Sequence, residues 1–97
     1  MRLIISHLLQ SELIHHAKNG YPQEVCGLLA GRGEQILRVI PTQNRASDKQ
    51  RRFMISSDDL NTYLPQIRSE GLSLLWFYHS HPDTPPIPSL TDMRELD

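Results

Sequence analysis

"WFYHSHPDTPPIPSLTD", residues 76–92, decides how the rest of the chain is read. It joins the end of an apolar run to two histidines one residue apart, a proline-rich turn, and a serine followed three residues later by an aspartate. The run starts at Leu72, and "LSLLWFYHSH" is the most apolar segment of the chain, a candidate central strand. Successive side chains on a strand alternate faces, so His79 and His81 project together while Trp76, Tyr78 and Ser80 face the other way. Pro82 has no amide to donate and ends the strand. The Pro85-Pro86-Ile87-Pro88 turn then leads into a last helix predicted from Ser89.

Upstream of this stretch, Arg2 to Ile5 reads as a short strand. From Ser6, a candidate N-cap, Leu9, Leu13, Ile14 and Ala17 recur at helical spacing until Asn19-Gly20 stops the helix. "VCGLLAG" is an apolar run closed by glycines, as in a buried strand. "EQILRVIPTQN" suits its hairpin partner, with Arg32-Gly33 at the turn. Arg45 to Arg52 is polar and predicted to be a mobile loop, followed by a third short strand at "RFMIS". A helix capped by Ser56 or Ser57 carries Leu60, Leu64 and Ile67 on one face and ends near Gly71. Pro65 inside it is expected to kink or break it.

The 97 residues allow one domain, with 38% apolar and 22% charged side chains and a formal net charge of −1, a composition of globular rather than disordered chains. The only basic cluster, Lys49, Gln50, Arg51 and Arg52 with Arg45 nearby, reads as a solvated loop, and no nucleic-acid partner is expected. Nothing approaches the length of a signal peptide or membrane span, because His7, Gln10, Ser11 and Glu12 interrupt the N-terminal apolar residues. A single cysteine, Cys26, rules out an internal disulfide and reads as a small buried hydrophobe. The default location is cytoplasmic. The helix from Ser89 reaches Asp97 after about two turns without a glycine or proline stop. The expectation is therefore one domain over 1–97 lacking its C-terminal part, or one completed by another chain, so that a second copy is a candidate partner.

The histidine pair has two readings. Two imidazoles on one strand face can converge on an ion such as zinc, or they can simply decorate an edge strand. Ser89 and Asp92 likewise fit a capping box, or Asp92 can add a carboxylate ligand to His79 and His81. Two histidines and one acid leave the fourth tetrahedral position open, the mark of a catalytic zinc site. Such a site needs a base for the attacking water, and Glu24 is the candidate, although its local sequence equally fits a surface glutamate. A Cys/His hydrolase built on Cys26 is the rival chemistry, but it explains neither the H-x-H pair nor Asp92.

Taken together, Glu24, "HSHP" at 79–82, Ser89 and Asp92 match an ordered motif: an upstream glutamate, H-x-H-P, then a serine after the seven residues Pro82 to Pro88, and an aspartate three further on. In this the chain resembles the JAMM (MPN+, or Mov34/MPN/PAD-1) metalloprotease family, and "EVCGLLAG" resembles its short prokaryotic members in particular. The resemblance implies an α/β (α+β) domain with a mixed, curved β-sheet flanked by helices, of cytidine-deaminase-like type, here without the C-terminal strands. It further implies a Zn2+ ion on His79, His81 and Asp92, with Glu24 activating water and Ser89 stabilising an oxyanion. The implied reaction is hydrolysis of peptide or isopeptide bonds at the tail of a ubiquitin-like or sulfur-carrier protein, tails that end in paired glycines. The alternatives are a non-catalytic MPN-like interaction module and a truncated fragment that binds zinc without turnover.

Overall fold

The computed structural model describes residues 3–81. Two helices and three strands follow in the order α1 (His7–Gly20), β1 (Cys26–Arg32), β2 (Gln35–Thr42), α2 (Ser57–Ser69) and β3 (Ser73–His79). The strands form one sheet in the order β2-β1-β3, and both pairings are antiparallel. Ile4 adds one parallel bridge to Gln35, so the predicted N-terminal strand is reduced to a single rung on β2. The middle place falls to β1, whose residues Cys26 to Gly31 are all buried. An apolar run without alternation marks a strand covered on both faces, and that is why "CGLLAG" lies between the other two.

Helices cover both faces. On one, Leu13 and Ala17 of α1 pack with Val25, Leu29, Ile36 and Tyr78. On the other, Ile67 of α2 packs with Leu28, Ala30 and Ile40, joined by Leu60, Leu64 and Phe77. Both helices begin at a serine: the Ser6 hydroxyl accepts from the Leu9 amide at 3.2 Å, and the Ser56 hydroxyl accepts from the Asp59 amide at 3.1 Å. Each bond satisfies an amide that the first helical turn would otherwise leave without a partner. Gly33 takes a left-handed φ of 58° in the hairpin turn, which a side chain would resist.

Three expectations need correction. Pro65 neither breaks nor ends α2, which runs unbroken from Ser57 to Ser69. Pro65 and Asn61 both lie on the exposed side, so the Asn61 carbonyl that loses its intrahelical donor can bind water instead. "RFMIS" forms no strand; the Met54 carbonyl accepts from the Arg45 amide at 2.9 Å within a looped segment. That segment is a tied turn rather than a free loop. The Asp48 carbonyl accepts from the Arg51 and Arg52 amides at 3.3 and 2.9 Å, and the Lys49 carbonyl accepts from the Glu24 amide at 2.6 Å. The helix expected from Ser89 lies outside the described residues.

Candidate metal centre

Strand register assembles the site. Cys26 pairs with His79 across the sheet, so the residue two before Cys26 comes level with the residue two beyond His79. Those residues are Glu24 and His81, and period-two alternation puts all four side chains on one face. The ladder is extended past the strand ends by a reciprocal pair of bonds. The Ser80 amide donates to the Val25 carbonyl at 3.0 Å, and the Ser80 hydroxyl accepts from the Val25 amide at 2.9 Å. Ser80 is accordingly buried on the face opposite the histidines, as alternation predicts.

The ligand-capable atoms of Glu24, His79 and His81 all lie within 4.8 Å of one another. Glu24 is only 5% exposed, which sets aside the reading of it as a surface glutamate. Its Oε1 is 3.4 Å from His79 Nδ1, longer than an ordinary hydrogen bond. The rings of His79 and His81 meet edge-on with centroids 4.6 Å apart, and Phe53 stacks on His79 at 4.4 Å. Phe53, Arg51 and Arg52 line one cleft with Glu24, His79 and His81. A carboxylate and two imidazoles in a partly enclosed wall are donors that suit zinc. Ser89 and Asp92, the other two motif residues, lie outside the described residues.

Asn44 holds this wall together, and no periodicity in the sequence points to it. Its side-chain amide donates to the carbonyls of Glu24 and Arg52, both at 2.9 Å. Its oxygen accepts from the amides of Ala46 at 3.0 Å and Met54 at 3.1 Å. One side chain thus ties the basic turn and the approach to Phe53 to the backbone of Glu24. The signal available in "QNRAS" is that asparagine readily bonds the backbone two residues on, as Asn44 does at Ala46.

Behind the site lies a second polar pair. The Tyr78 hydroxyl is 2.8 Å from His16 Nδ1 on α1. Burial, with smaller contributions from the charges of Cys26 and Glu12, raises the Tyr78 phenol well above its usual value. Burial, then the neighbouring His15, lowers His16. A protonated phenol beside a neutral imidazole makes Tyr78 the donor and Nδ1 the acceptor. Cys26 is fully buried, with Sγ 3.5 Å from Thr42 Oγ1 and 3.7 Å from the Gln43 carbonyl. Burial raises the thiol; the Thr42 bond opposes this, and the charges of Asp59 and Glu24 reinforce it. A thiol kept protonated in this way is a poor nucleophile, which argues against cysteine chemistry.

Residues 7–97 match the family described as prokaryotic homologues of the JAB domain. Among curated proteins, the "Desampylase" of Haloferax volcanii is 32% identical over 97 residues, covering 94% of this chain and 70% of that protein. The "Probable TtuB-protein conjugate cleaving protease" of Thermus thermophilus is 38% identical over 93 residues, covering 96% of this chain and 62% of that protein. The solution structure of protein DSY2949 from Desulfitobacterium hafniense superposes with a TM-score of 0.74 at 33% identity, over 91% of this chain and 62% of that one. This chain therefore spans roughly two thirds of the length of the proteins it resembles.

Proposed function

We propose that this chain, which belongs to the family of prokaryotic homologues of the JAB domain, carries the catalytic centre of a zinc-dependent hydrolase. Its substrates would be conjugates of ubiquitin-like or sulfur-carrier proteins, cleaved at a peptide or isopeptide bond of the tail. The observation that carries this reading is the convergence of Glu24, His79 and His81 within 4.8 Å on one sheet face. The two relatives, one named a desampylase and one a probable protease of TtuB-protein conjugates, support the substrate class.

In this reading His79 and His81 hold the ion, and Asp92 supplies the third ligand. A bound zinc would supply Lewis-acid polarisation of the scissile carbonyl. Glu24 could in principle be a fourth ligand, since 3.4 Å also suits two donors sharing one ion. A fourth protein ligand would close the coordination sphere, as in structural sites, whereas hydrolysis needs an open position. We therefore assign Glu24 as the base. Its carboxylate takes a proton from the attacking water and returns it to the leaving nitrogen as the C–N bond breaks and the C–O bond forms. Burial and the Asn44 bond to its carbonyl fix its position beside the histidines. Ser89 is assigned to steady the oxyanion.

The test is metal content measured beside cleavage of a ubiquitin-like conjugate. About one zinc per chain is expected, sharply reduced in His79→Ala, His81→Ala and Asp92→Ala. Glu24→Gln should keep zinc and lose hydrolysis, because an amide accepts no proton. Ser89→Ala should keep zinc and lose roughly 10²-fold in turnover. Full zinc occupancy in a His79→Ala/His81→Ala double variant would sink the assignment, and loss of zinc in Glu24→Gln would make Glu24 a ligand rather than the base.

A further inference from the structure

Strand register decides where the His79 side chain starts, not how its ring is turned. The last torsion of a histidine side chain is broad, so an imidazole can swing its nitrogens through a wide arc. Metal binding needs a nitrogen lone pair, which lies in the ring plane, aimed at the ion. The ring of Phe53 lies flat against this imidazole, with centroids 4.4 Å apart and planes 13° from parallel. A partner on the ring face restrains the plane without taking up either nitrogen. His81, by contrast, meets His79 edge-on at 77°.

Filling the core does not account for Phe53. It is half-buried and packs in neither apolar cluster of the described residues, although Ile55, two residues on, joins the cluster under α2. Its ring instead forms part of the cleft wall with Glu24, His79 and His81. No strand carries Phe53, yet the peptide groups on both sides of it are pinned by one side chain. The Asn44 amide donates to the Arg52 carbonyl at 2.9 Å, and the Asn44 oxygen accepts from the Met54 amide at 3.1 Å. The Arg45 amide adds a bond to the Met54 carbonyl at 2.9 Å. Asn44 also donates to the Glu24 carbonyl at 2.9 Å, so the stacked ring and the carboxylate beside it share an anchor.

We infer that Phe53 is a positioning residue for the metal centre: its ring sets the plane of the His79 imidazole before an ion arrives, and so raises the affinity of the site for zinc. This role rests on the reading of His79 as a ligand and deepens it. A side chain already turned toward the ion loses little rotational freedom on binding, whereas a free one must first be ordered. Outer partners that orient a ligating histidine usually hold its ring N–H. A flat aromatic face serves the same end.

Zinc affinity is to be measured by competition with a chelator in the wild type, Phe53→Leu and Phe53→Tyr. Leucine keeps an apolar side chain without a flat face, and tyrosine keeps the ring. Phe53→Leu should bind zinc roughly tenfold more weakly, while Phe53→Tyr should bind as the wild type does. Unchanged affinity in Phe53→Leu, or a tyrosine variant as weak as the leucine one, would overturn the inference. NMR of the metal-free wild type reads the contact with neither metal nor substitution. The His79 ring protons should be shifted upfield by the Phe53 ring and show nuclear Overhauser contacts to it. Unshifted protons without such contacts would overturn the inference even if a variant fails to fold. A wild type that shows the ring contact but binds no zinc sinks the hydrolase reading and leaves Phe53 as what orients His79. One that binds zinc without the contact sinks only the role of Phe53.

Discussion

Replacing Asn44 by alanine tests whether one side chain holds the basic turn against the candidate site. The substitution removes four hydrogen bonds, two from the side-chain amide to the carbonyls of Glu24 and Arg52 and two to its oxygen from the amides of Ala46 and Met54. The bonds to Arg52 and Met54 are exposed, so water can replace them at little cost. Those to the Glu24 carbonyl and the Ala46 amide are partly buried. Leaving a buried group without a partner costs about 1–3 kcal/mol, and partial burial puts each of these two at the lower end, about 1–1.5 kcal/mol, so the total expected is about 2–3 kcal/mol. For a chain of this size that lowers Tm by on the order of 10–20 °C. Circular dichroism melting gives the loss, and hydrogen exchange at the Ala46 and Met54 amides locates it. Asn44→Asp separates the two halves, because it keeps the acceptor for both amides and places a carboxylate against two carbonyls. It should preserve exchange protection at Ala46 and Met54 while still losing stability. A fall of less than about 3 °C in Asn44→Ala, with both amides still protected, would show that packing alone holds the turn.

Two further outcomes follow from the buried polar groups. His16 is lowered from 6.5 in the folded state, so above that value it is neutral whether folded or not, and its environment costs nothing. As pH falls through 6.5 the unfolded chain takes up the proton first, so stability should decline with acidification until the folded value is passed. An NMR titration midpoint for His16 at or above 6.5 would contradict this. Cys26 is raised from 9.0, so the unfolded chain loses its thiol proton first and this contribution to stability is lost as pH rises through the thiol range. Iodoacetamide should modify native protein far more slowly than urea-unfolded protein at about pH 8, and equal rates would contradict the burial.

Glu24, His79 and His81 were legible in the sequence as candidates, but the contacts that bring them together were not. H-x-H on a strand announces itself because alternation is a local rule, and both helices are marked by serine caps and apolar spacing. The burial of Glu24 depends instead on which rung of β3 meets β1, and nothing near "QEVCG" states that. The arginines are solvated as expected, but their place beside Glu24 was hidden for a related reason. Hydrogen bonds through Asn44 and Lys49 place this exposed stretch beside Glu24, and those partners follow no period. Pro65 shows the converse: the break it signals does not occur, and the carbonyl it frees lies on an exposed side.

Register therefore carries more of the site's assembly than the histidines themselves. A slip of one residue between β1 and β3 would turn Glu24 and Cys26 to the face opposite His79 and His81 and dissolve the cluster. Two features between the chemical residues prevent it. Gly27 pairs with Tyr78, and a Cβ there would run into the Tyr78 ring and the Ile40 carbonyl, so in this packing the tyrosine seats over a residue with no side chain. A slip of one residue would set Tyr78 against Cys26 or Leu28 instead, and neither lacks a side chain. Ser80 then closes the end of the ladder on Val25 through both its amide and its hydroxyl. The middle residue of H-S-H and the glycine of "EVCG" thus act as alignment points, and the spacing between them brings a carboxylate and two imidazoles from distant parts of the chain within reach of one ion.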